Sequence, residues 1–124
     1  MSEFTEQVMF VNYVDTNYPD VVCISTLNGV PLSKGLARKM AQLNPKKGIS
    51  DIIILEPKGE YHGLIIEFKR TGEKVFKQNG ELYKNDHLHE QYNFLKKLGS
   101  KKYFTTFAIG FVEARKIFCE YMTK

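Results

Sequence analysis

A chain of 124 residues, 43% of them hydrophobic, can bury one core without disulfides, so a single domain over residues 1–124 is expected. Eighteen Lys and Arg against 14 Asp and Glu leave a net charge of +4, an excess that suits a polyanionic partner weakly and is also ordinary for a soluble protein. No apolar run approaches the ~18 residues of a membrane span, no basic segment leads into an apolar core at the N-terminus, and Cys23 and Cys119 lack metal-binding spacing, so the expectation is a cytosolic protein with two reduced, buried thiols and no membrane association.

Ser2 is a good N-cap, and Phe4, Val8, Val11 and Val14 recur at helical spacing, which predicts an amphipathic helix over 3–16 with Tyr18-Pro19-Asp20 as its stop. The β-branched "VVCIST" predicts a strand and Asn28-Gly29 a turn. "SKGLARKMAQLN" reads as a helix opened by Ser33 and stopped before Pro45, with Leu36, Met40 and Leu43 on one face. "ISDIIILE" and "YHGLIIEF" predict two strands joined by "PKGE" as a hairpin. Residues 71–86 are polar, contain Gly72 and Gly80, and predict a long mobile loop, a feature often functional in small domains. "HLHEQYNFLKKLG" predicts a helix with Leu88, Tyr92 and Leu95 facing inward and Gly99 at its end. "YFTTFAIG" predicts a further strand and "FVEARKIFCEYM" a closing helix. This order implies an α/β sandwich with a mixed central sheet flanked by helices.

The second hairpin strand carries the chemistry. Side chains alternate across a strand, so Ile65, Glu67 and Lys69 share one side of "GLIIEFKR" and Leu64, Ile66 and Phe68 the other. A hairpin centred near residue 58 or 59 sets Asp51 across from Glu67 or its neighbours. Two carboxylates and a lysine then meet at one end of the sheet. Like charges in a half-buried site repel, and a divalent cation relieves them; carboxylates with retained water are what Mg²⁺ prefers. A lysine two residues from a ligand can hold or deprotonate a water beside a phosphate, the apparatus of metal-assisted phosphodiester hydrolysis. Pattern alone leaves a second reading, a same-face Glu67–Lys69 ion pair on a solvated strand.

"KGISDIIIL", "YHGLIIEFKR" and "HEQYNFLKKLG" together resemble the three blocks of the virus-type replication-repair nuclease (VRR-NUC) domain, a branch of the PD-(D/E)xK nuclease superfamily. The resemblance spans nearly the whole chain, from "SEFTEQ" through the Asn-Gly loop to "GFVEARKIFCEYM", and is best to the small stand-alone phage and bacterial members. It implies a PD-(D/E)xK-like core and a Mg²⁺- or Mn²⁺-dependent endonuclease. The implied substrate is branched DNA, with Holliday junctions leading, and the implied assembly is a homodimer. By it Asp51 and Glu67 are metal ligands, joined by the Phe68 backbone carbonyl; Lys69 and Gln91 complete the catalytic set, and Glu3 is the acidic residue of the first helix. Two departures stand out: Ser50 replaces the usual proline before the aspartate, and "NGVPLSK" lacks an arginine common after Asn-Gly. Rival readings are a flap or general nuclease with the same site, and a basic nucleic-acid-binding module that does not cleave.

Several residues have two readings. Glu3 and Glu6 compete for the first-helix acid that the resemblance places at the metal; Glu3, beside Gln7 and Phe10 at the margin of the apolar face, is preferred to Glu6, which turns toward solvent, and either could simply complement the helix dipole. Gln91 shares a face with His87, Leu88 and Leu95 and either caps a core hydrogen bond or binds the Lys69 environment. His62, His87 and His89 are read as incidental or as DNA contacts, since 87 and 89 cannot face one site on a helix. From Lys69 to Lys102, nine Lys and Arg against four Asp and Glu, interleaved with Phe76 and Tyr83, form either a phosphate-contacting surface or a solvated face.

Overall fold

Six consecutive residues, Leu64–Lys69, are all buried and form the strand around which the rest is built. The computed structural model describes residues 1–26, 32–43 and 51–124. In chain order the elements are α1 (Glu3–Asn17), β1 (Cys23–Ser25), α2 (Lys34–Leu43), β2 (Ile52–Ile54), β3 (Leu64–Lys69), α3 (Asp86–Gly99), β4 (Phe104–Ile109) and α4 (Gly110–Met122). The sheet runs β1-β2-β3-β4, antiparallel from β1 to β3 and parallel between β3 and β4, so it is mixed as expected. The expected turn at Asn28-Gly29, the stop at Pro45 and the substitution at Ser50 lie outside the described residues.

Burial of β3 on both faces follows from its composition. Leu64, Ile66 and Phe68 join a core with Phe10 and Val14 of α1 and Ala114, Phe118 and Tyr121 of α4. Phe10 anchors it, with ring centroids 6.1 Å from both Phe68 and Phe118. Burying such a ring contributes on the order of 2 kcal/mol. On the opposite face Ile65 packs with Leu88 and Leu95 of α3, Phe107 of β4 and Val75. The result is a sheet between an α1/α4 layer and an α3 layer.

Expectations about two helix faces are corrected. In α1 the inward residues are Glu6, Phe10 and Val14, whereas Phe4 is 61% exposed and Val8 41%. In α3 they are Leu88, Gln91 and Leu95, with Tyr92 turned outward. Both stripes run i, i+4 or i, i+3 through a polar residue, which a reading by apolar residues alone passes over. The thiols are half-buried; Cys119 Sγ lies 3.3 Å from the Tyr13 hydroxyl. The 71–86 segment is pinned rather than loose, by buried Val75, by a Phe76–Leu82 bridge and by a bond from Tyr83 N to the Val75 carbonyl.

Candidate metal and active centre

The hairpin register brings the carboxylates together. Ile52 pairs with Ile66 and Ile54 with Leu64, so extending the ladder by one residue sets Asp51 opposite Glu67. Asp51 is held there because its Oδ2 accepts a 2.9 Å bond from the Phe68 amide. Parallel pairing with β4, from Leu64–Phe104 to Lys69–Ile109, straightens β3 to its end and fixes the spacing of Glu67 and Lys69.

All three, with Gln91, are buried. Lys69 Nζ donates to Gln91 Oε1 at 2.7 Å and pairs at 3.8 Å with Glu73. Because an ammonium only donates, the Gln91 oxygen must face Lys69, leaving its amide nitrogen to donate to Glu67 Oε1 and to His87 Nε2 at 3.1 Å. His87 therefore presents Nε2 as an acceptor. Of its two readings in the sequence, incidental or DNA-touching, neither included a bond to Gln91, although the i, i+4 spacing of His87 and Gln91 is a signal that could have found it.

Electrostatics at this centre are unfavourable to two free carboxylates. Burial and then the charge of Asp51 push Glu67 up to about 10. Burial also raises Asp51, opposed by the Phe68 amide and by Lys69. Glu3, half-buried, is raised by burial and by Asp51, so its carboxyl feels the same centre. Without a cation the Asp51–Glu67 pair therefore holds a proton at a pH where two free carboxylates would not. Glu67 Oε2 is buried without a heavy-atom hydrogen-bond partner among the described residues. Two buried carboxylates side by side, one with an unpartnered oxygen, are oxygen donors that suit a hard divalent cation, although among the described residues no group of three or more His, Cys, Asp or Glu is gathered closely enough to hold one alone.

Glu6 does different work from that expected. It is buried, and it accepts from Thr71 N at 3.0 Å, Thr71 Oγ1 at 2.7 Å and Phe111 N at 3.2 Å. Burial alone would raise it, but these bonds outweigh burial and its carboxyl lies below the usual range. Glu6 thus ties α1 to the end of β3 and to the start of α4. Gly110 is required beside it, since its φ is +87° and a Cβ there would run into Thr71 Oγ1 and Glu6 Oε1. Thr71, Gly110 and this tie were not legible in the sequence. Of the other histidines, His62 stacks edge-on to Tyr103 and His89 points away from the centre into a surface groove.

Neither a scan against protein-family models nor a search of curated proteins gives a match. Among solved structures the chain is similar to one described as a VRR_NUC domain protein, at 22% identity and a TM-score of 0.65, over 99% of this chain and 89% of that one. The chain has a VRR-NUC-like fold, an α/β domain with a PD-(D/E)xK-like core.

Proposed function

We propose that this chain is a Mg²⁺- or Mn²⁺-dependent endodeoxyribonuclease that hydrolyses phosphodiester bonds in branched DNA, with Holliday junctions as the leading substrate. The observation that carries the reading is the buried Asp51–Glu67 pair, one oxygen of which has no hydrogen-bond partner among the described residues, with Lys69 two residues further on. Likeness in fold to a VRR_NUC domain protein supports it.

Asp51, Glu67 and the Phe68 carbonyl would hold the cation, with Glu3 as a further acid at its margin. The cation supplies Lewis-acid stabilisation of charge on the phosphate and leaving oxygen. Lys69 orients the attacking water and balances phosphate charge, and Gln91 fixes the ammonium through its amide oxygen. Gln91 in turn is held by Glu67 and His87, so the ammonium and the carboxylate are positioned by one amide.

A junction has two symmetric strands to cut, which suits a homodimer carrying two centres related by a two-fold axis. Helix α2 supports this reading: it has no buried residue, and Leu36 and Leu43 are 46% and 84% exposed. The test is cleavage of four-way junction, flap and linear duplex with Mg²⁺, Mn²⁺ or chelator. Metal-dependent cutting with preference for the junction is expected. Preference for the flap reassigns the substrate, and absence of cutting with intact DNA binding leaves a non-cleaving module.

A further inference from the structure

On the flank of α3 away from the catalytic amide, a groove of ≈ 540 Å³ runs between the helix and the pinned 71–86 segment. Phe76 and Tyr92 line it and are 48% and 37% exposed. Phe76 is held by an edge contact with Phe107, centroids 5.9 Å apart, so its ring is oriented while much of its surface is open. Lys77, Lys84, His89 and Asn93 share the groove, and among the described residues Glu81 is the one carboxylate lining it. A second cavity of ≈ 440 Å³ shares Lys84 and His89 and continues to Asn85 and Asp86.

Two partly exposed aromatic rings, that of Phe76 held in place by Phe107, beside cations and an amide form the composition that single-stranded nucleic acid recognises. Bases stack on rings regardless of sequence, phosphates follow the cations, and an amide can pair with a base edge. We infer that this groove binds an unpaired segment of DNA, by stacking bases on Phe76 and Tyr92 with Lys77 and Lys84 at the backbone. The inference rests on the nuclease reading for the choice of DNA as polyanion. It deepens that reading, because α3 carries Gln91 and His87 on one side and the groove on the other, so a branched substrate with unpaired bases is gripped on both flanks of one helix.

The experiment is fluorescence anisotropy in chelator, where cleavage is silent, with a thymidine oligonucleotide of about 12 nucleotides and a blunt duplex as probes. Phe76→Ala and Tyr92→Ala are each expected to weaken single-strand binding roughly 10-fold while duplex binding changes less than about 2-fold. Tyr92→Phe should retain affinity, because a ring remains. Phe76→Leu, which keeps an apolar contact with Phe107, should lose affinity like the alanine variant and so separates stacking from folding. Unchanged single-strand affinity in Phe76→Leu and Tyr92→Ala overturns the inference, as does a change of mass by light scattering in these variants, which assigns the groove to a second copy. Failure of the wild type to cut any DNA, with ring-dependent single-strand binding intact, rejects the nuclease reading and leaves the groove standing.

Discussion

Glu67 sits 2% exposed with one oxygen unpartnered among the described residues and Asp51 across the ladder from it, an arrangement that folding alone does not favour. A folded-state value raised from 4.5 to about 10 means that the folded chain holds this proton more tightly than the unfolded chain does. Its contribution to stability is therefore full below the unfolded value and is lost as pH rises toward the folded one. In chelator, stability should fall between about pH 6 and about pH 9 by on the order of 1 kcal/mol per pH unit. Glu67→Gln should flatten that slope and raise the melting temperature at the alkaline end while abolishing cleavage. A thermal-melt series across pH checks this, and a slope unchanged by the substitution contradicts the assignment. Because a bound cation displaces the same proton, Mg²⁺ or Mn²⁺ affinity should increase with pH. Asp51→Asn should likewise abolish cleavage without unfolding the chain, as read by circular dichroism.

Among the elements, α1 and β3 show what a sequence discloses and what it hides. In β3 the apolar run of "LIIEFK" carries the strand and the alternation of side chains its two faces, and a hairpin centre near 58 or 59 brought Asp51 opposite Glu67 or its neighbours, so the meeting of the two carboxylates was legible while their exact register is set by the ladder. In α1 the same kind of reasoning placed Phe4 and Val8 inward and Glu6 outward, because a buried charge is invisible to hydrophobic periodicity until its partners are known. Those partners, Thr71 and Phe111, lie 65 and 105 residues away in sequence. Tyr92 misled for a related reason: the inward stripe of α3 runs through Gln91, whose partners Lys69 and Glu67 satisfy it. The Glu6 tie gives a prediction of its own. Glu6→Ala strands the Thr71 and Phe111 amides and should cost about 3 kcal/mol in urea unfolding. As this carboxylate lies below its usual range, the stability it adds is present above its unfolded value and is lost as pH falls into the acid range. A loss below about 0.5 kcal/mol for Glu6→Ala would show that the tie is dispensable.

At the scale of the molecule, two cores on either face of one sheet leave α2 without a buried residue, although Leu36, Met40 and Leu43 share a face. Pairing that face with a second copy would bury it and set two centres in one particle. Light scattering at micromolar concentration should give about twice the 14.4 kDa chain mass, and the double substitution Leu36→Glu with Leu43→Glu should return it to one. A monomeric wild type contradicts the paired assembly without touching the centre itself. For the centre, the most direct measurement is single-turnover cleavage of a labelled four-way junction in Mn²⁺ by the wild type and by Lys69→Ala. The variant keeps Asp51 and Glu67, so its metal affinity, measured alongside, should be retained. Cleavage should fall roughly 10²-fold or more, the scale for losing a positioned electrostatic or proton-transfer group. An unchanged rate in Lys69→Ala would contradict the account, leaving Lys69 as a structural cation held by Gln91 and Glu73 at the end of a buried strand.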